Sequence, residues 1–168
     1  MRAAPNYSFK GNSHRTDVCP LNSGVRHLDS TCFIYIKSEA FPILPGEAEE
    51  LVNEGTYGKS LAQYLQIQLK ARDYDAPFIC CEDWGWWLEI LGQPFTLGVC
   101  IYGSSNLSES HELCVSVSER SRRRWSWRAF KSIDTAPRVN KLFSDLGSIF
   151  SSDGEIQVLG YPEAYPLD

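Results

Sequence analysis

Long apolar runs are missing from this 168-residue chain. None approaches the roughly 18 to 20 residues that cross a bilayer, so no membrane-spanning helix and no membrane contact are expected. The opening MRAAPNYSFKGNSHRTDVCPLNSG lacks the apolar centre of a secretory signal, and the chain reads as soluble and cytoplasmic. In that compartment the six cysteines are expected as free thiols, and the Asn-x-Ser sequences at Asn6 and Asn106 are chance matches.

Metal and cofactor signatures are equally scarce. There is no Cys-x2-Cys pair to build a zinc site, and Cys80 and Cys81, adjacent on a strand, point to opposite faces. Glycine-rich phosphate loops, Gly-x-Ser-x-Gly elbows and His-Glu-x-x-His pairs are all absent. The fragment GTYGKS at 55–60 spells part of a phosphate loop, but Asn53 stands where its first glycine is required. No cofactor and no metal are expected. His14 and His27 fall in a segment without periodicity and read as surface residues.

What is present is an ordinary globular composition, 43% hydrophobic and 22% charged, in a length suited to one core. Charge is segregated. Residues 119–131 carry +5 through Arg120, Arg122, Arg123, Arg124, Arg128 and Lys131 against Glu119, so the rest of the chain carries −10 of the net −5.

Residues 1–28, rich in Asn, Ser, Gly and Arg, are expected to form a flexible arm, with a single α+β domain over 29–168. TCFIYIK at 31–37 is β-branched and aromatic enough for a strand, and the prolines of FPILPG close it. The acidic stretch GEAEELVNEG, with Glu47, Glu49, Glu50 and Glu54, reads as a solvated face. In KSLAQYLQIQLKAR, Leu61, Leu65 and Leu69 make one apolar helical stripe.

From Pro77 to Glu119 the period becomes two, and FICCED, GWWLEIL, FTLGVCIYG and ELCVSVS predict an antiparallel meander. Helical spacing returns at Val139, Leu142, Phe143, Leu146, Ile149 and Phe150, with Thr135 as N-cap, Pro137 in the first turn and Gly154 as a left-handed C-terminal cap. EIQVLGY predicts a last strand, and PEAYPLD a tail. The expected fold is α+β: a mostly antiparallel sheet of about five to six strands with two helices on one face, in the order β-α-β-β-β-β-α-β.

Parity then sorts the meander. With EDWG as a hairpin turn, Trp86, Leu88 and Ile90 share the core face with Phe95, Leu97, Val99, Ile101, Leu113, Val115 and Val117. The opposite face shows Trp87, Glu89, Thr96, Cys100, Tyr102, Cys114, Ser116 and Ser118. Rings among scattered polar groups suit a binding surface, and the expected contact residues are Trp87, Glu89 and Tyr102. The competing reading is that the arm or a loop covers this face.

Two other functions compete with it. SERSRRRWSWRAFK at 118–131 combines phosphate-contacting arginines with rings that stack on bases, so Arg122, Arg123, Arg124, Trp125 and Trp127 are candidate nucleic-acid contacts. Their structural alternative is a crossover into the last helix anchored by Trp125 and Trp127. An enzyme is the third reading, with Glu82 and Asp83 as acid and base, or Cys80, Cys81, Cys100 or Cys114 as nucleophile beside His111.

PGEAEELVNEGTYGKSLAQYLQIQLKARDYDAPFICCEDWGWWLEI, with the later WSWRAFKSIDT and SSDGEI, resembles a group of small bacterial proteins that share an EDWGW spelling, over residues 45–158. The resemblance implies a small bacterial α+β domain and carries no activity or catalytic residues with it. The leading expectation is therefore a non-catalytic domain that binds another protein through the outer sheet face, with an immunity or antitoxin role as a subtype.

Overall fold

The computed structural model describes residues 32–118, 123–126 and 131–167. The arm expected over 1–28 lies outside them. In chain order the elements are β1 (Phe33–Lys37), α1 (Lys59–Lys70), β2 (Ile79–Glu82), β3 (Gly85–Ile90), β4 (Leu97–Tyr102), α2 (Leu107–Ser110), β5 (Glu112–Val117), β6 (Arg123–Ser126), β7 (Lys131–Asp134), α3 (Ala136–Ser152) and β8 (Gln157–Gly160).

Six strands form one antiparallel sheet in the order β2-β3-β4-β5-β1-β8. The fold is α+β, as the periodicity predicts, and the meander runs from β2 to β5. β1, the FIYIK strand, lies between β5 and β8, which buries Ile34 and Ile36 completely. The expected element order gains the single turn α2 and the ribbon β6-β7, a separate two-stranded sheet. RRWS and KSID are four-residue polar strands, too short for alternation to show, which is why the sequence reads there as an irregular crossover.

Both long helices cover one face of the sheet. Leu61, Ala62, Leu65 and Leu69 of α1 and Val139, Leu142, Leu146, Ile149 and Phe150 of α3 join Trp86, Leu88, Ile90, Val99, Ile101 and Val115 in the main core. Burying each large side chain stabilises by about 1.5–3 kcal/mol, so the apolar stripes, rather than helix propensity, hold these helices in place. Polar contacts also join α1 and the loop after it to α3 and its C-terminal cap. Tyr64 donates its hydroxyl to Asp153 at 2.7 Å, Tyr74 donates to Asp145 at 2.6 Å, and Lys141 donates to the same Asp145 oxygen at 2.6 Å.

The ends of the helices depart from expectation in two places. Glu47, predicted on a solvated face, is 1% exposed. Its Oε1 accepts the backbone N–H of Gly58 and of Lys59, each at 2.8 Å, and its Oε2 accepts that of Leu44 at 2.9 Å. The carboxylate thus caps the start of α1, where no residue of the helix itself supplies a side-chain cap. It also takes the position a phosphate would need on GTYGKS, so that fragment is a capped helix start. At the far end, α3 finishes through Asp153 in an extended conformation rather than through a left-handed Gly154. The Asp153 carboxylate accepts the N–H of Glu155 at 3.0 Å and its carbonyl that of Ile156 at 3.2 Å, which supplies the stop.

Candidate binding surface on the outer sheet face

The hairpin that opens the meander fixes the surface. Glu82 pairs with Gly85 around the two-residue turn Asp83-Trp84. Gly85 has φ of 146°, and a Cβ there would lie 2.3 Å from the Ile101 carbonyl oxygen, so only glycine fits. From this anchor, alternation places Trp86, Leu88 and Ile90 in the core and turns Trp87 and Glu89 to the other face, both half-buried.

That outer face has three regions. At one side Tyr35 donates its hydroxyl to Glu112, and Lys37 lies 3.7 Å from the same carboxylate. In the middle, Phe33, Cys100, Tyr102 and Cys114 form a second buried cluster beneath Trp84, Trp87, Tyr165 and Leu167. The Tyr165 ring stands 5.9 Å from Phe33 and 5.3 Å from Tyr102, and Trp84 packs 5.3 Å from Tyr102. Pro162, at the start of the tail, accepts the N–H of Phe33 at 2.9 Å.

Tyr102, expected to show its ring on the surface, is therefore only 7% exposed. The reason is PEAYPLD: the segment read as a tail folds back across the sheet and seats Tyr165 and Leu167 on the cluster. Cover comes from this end of the chain and from Trp84 in the β2-β3 turn.

Among the described residues nothing folds over the third region, on β2 and β3. Phe78 is 54% exposed, and Cys80, Glu82, Trp87 and Glu89 are half-buried beside it. Trp87 reaches diagonally from β3 onto Gly98 of β4, where a Cβ would lie 2.1 Å from its Cη2. Trp84 meets Trp87 edge to face at 6.5 Å. Sequence reasoning overlooked Phe78 and Trp84. Phe78 was findable, since it has the parity of Cys80 and follows Pro77; Trp84 sits in a turn, where parity assigns no face.

Two of the candidate nucleophiles, Cys80 and Cys114, have their thiols held against ionisation. Cys80 donates to Glu82 Oε1 at 3.6 Å, and its pKa is pushed up to about 11, by burial first, then by the Glu82 charge, with Glu89 adding to it. Burial also raises the pKa of Cys114 strongly. Among the described residues no hydrogen bond joins the His111 ring to a cysteine, and no three His, Cys, Asp or Glu side chains gather as a metal site. Of the basic-aromatic candidates, Arg123, Arg124 and Trp125 belong to β6, whose register pairs them with Asp134, Ile133 and Ser132. Arg122 and Trp127 lie outside the described residues, and no helix of the described residues is long and apolar enough to cross a membrane.

No protein-family model matches the chain, and no curated protein and no solved structure matches it.

Proposed function

We propose that this chain is a non-catalytic domain that binds another protein through the open part of its outer sheet face, centred on Trp87 and Phe78 and flanked by Cys80 and Glu89. The observation that carries this reading is the contrast within one sheet face. Its middle is covered by the chain's own tail and by Trp84, whereas at the β2-β3 end Phe78 is exposed and Trp87 half-buried. Aromatic rings held in place by backbone contact offer large contact area with little rotamer entropy to lose.

The test compares pull-downs of the intact chain with Phe78→Ala and Trp87→Ala. A specific partner retained by the parent and lost by both variants, with unchanged circular dichroism, supports the surface. Equal retention by all three removes it.

A second reading has its own observation: the arginine-rich segment is built partly as a two-stranded ribbon distinct from the main sheet. Ribbons of this kind can follow a nucleic-acid groove. Titration with labelled single-stranded RNA and DNA at low salt decides it, because phosphate contacts are strongest there. Absence of binding at low salt rejects the reading.

A further inference from the structure

We propose that β2 is a docking edge for an extended basic segment of a partner protein, which adds to the sheet as a further strand. This deepens the binding reading above and rests on it.

Among the described residues β2 pairs only with β3 and so ends the sheet. The N–H of Glu89 donates to the Phe78 carbonyl at 2.9 Å, which makes Phe78 and Glu89 a hydrogen-bonded position of the ladder. By alternation Cys80 and Glu82 also turn their backbone groups toward β3, while Ile79 and Cys81 turn N–H and C=O away from it. Their side chains pack on the main core, so the strand is held while its free backbone faces outward. Pro77 bounds this edge on one side and the Asp83-Trp84 turn on the other, leaving room for a short partner strand.

Natural edges of this kind are guarded by lysine, proline, a bulge or a covering element. ICCE has no basic residue, and among the described residues nothing pairs with its outer edge. Its charges instead select the occupant. Glu82 lies on β2, Asp83 in the turn beside it and Glu89 on β3 opposite Phe78, and no ion pair among the described residues involves any of them. A polyanion would be repelled by these carboxylates, and a basic segment attracted. A strand with a basic residue beside Glu82 and an apolar one beside Phe78 satisfies both the charge and the exposed ring.

The probe is the capped peptide acetyl-Lys-Val-Lys-Val-Lys-Val-Lys-amide, with the Glu-Val analogue as control, titrated into the nitrogen-15-labelled full chain. The expected result is saturable binding of the Lys peptide with slowed hydrogen exchange at the Ile79 and Cys81 amides. The pair Glu82→Gln and Glu89→Gln should weaken it by about fivefold, the scale of two exposed ion pairs. Unchanged exchange at these amides under saturation, or equal binding of the Glu-Val peptide, overturns strand addition. If the peptide shifts the Trp87 indole N–H but leaves both amides unprotected, strand addition fails while the outer-face reading stands. If it moves neither, strand addition also fails, and the Phe78 and Trp87 pull-down decides the face independently.

Discussion

The benzo ring of Trp87 occupies the space where a side chain on Gly98 would begin: a Cβ at residue 98 would lie 2.1 Å from Cη2 and 2.2 Å from Cζ2. Gly98 has no positive φ, so its lack of a side chain serves the ring rather than the backbone. The β2-β3 region of the outer face and the buried cluster meet at this contact, because Trp87 also packs against that cluster.

Gly98→Ala should therefore destabilise the chain by about 1–3 kcal/mol, as overpacking does, and shift Trp87 emission. Trp87→Ala in the same chain should recover most of that loss. Urea unfolding of the two single variants and the double variant measures the coupling. Additive effects would show that the ring does not rest on residue 98.

Glu47 makes a prediction of the opposite kind, a surface-like residue with a core-like effect. Glu47→Ala leaves the N–H groups of Leu44, Gly58 and Lys59 without their acceptor and removes a negative charge from the start of α1. The expected cost is about 3 kcal/mol in urea unfolding. Glu47→Gln should lose less, since its carbonyl oxygen can still accept from Gly58 and Lys59 while its NH2 sets a donor against the Leu44 N–H. Glu49→Ala, at an exposed position, should stay within about 0.5 kcal/mol.

The tail should behave as part of the fold. Tyr102→Ala is expected to cost about 3–5 kcal/mol, the range for emptying a buried aromatic site. Tyr165→Ala should lower the melting temperature and increase binding of a hydrophobic dye, because Phe33 and Tyr102 lose their cover. A Tyr165→Ala variant with parental melting temperature and dye binding would mean that the tail rests on the face without stabilising it.

The parts of this structure legible in the sequence are those written as periodicity. Leu61, Leu65 and Leu69 mark α1, Val139 to Phe150 mark α3, and the parity of Trp86 against Trp87 is observed in the β3 burial pattern. What escaped depends on partners distant in the chain. Nothing in GEAEELVNEG distinguishes Glu47 from Glu49, since the difference lies in the N–H groups of residues 58 and 59. Tyr165 stands between Pro162 and Pro166 with no apolar period around it, so its place over Tyr102 has no local signal. The ribbon hid because its strands are polar and four residues long.

Two tyrosine contacts, Tyr64 of α1 with Asp153 at the end of α3 and Tyr74 beyond α1 with Asp145 of α3, set a pH window. Burial first, and then the hydrogen bond to Asp153, raises the Tyr64 pKa; burial and then Asp145 do the same for Tyr74. The Tyr64 hydroxyl holds the Asp153 carboxyl below its usual range. Burial works to raise Asp145, but hydrogen bonds from Lys141 and Tyr74 outweigh it and leave that carboxyl lowered too. A lowered carboxylate stabilises the fold above its unfolded pKa, about 4, and loses that contribution as pH falls through the folded value. A raised tyrosine stabilises it below its unfolded pKa, about 10, and loses that contribution as pH rises through the folded value. Both contributions are thus present between about pH 4 and 10. Tyr64→Phe with Tyr74→Phe keeps the rings and removes the hydroxyls. It should cost roughly 1–2 kcal/mol at neutral pH, reduced for solvent exposure of the carboxylates, and the difference from the parent should shrink at both extremes. Unfolding free energies at about pH 3, 7 and 11 check this, and a difference constant across the three would show that the pairs do not titrate with folding.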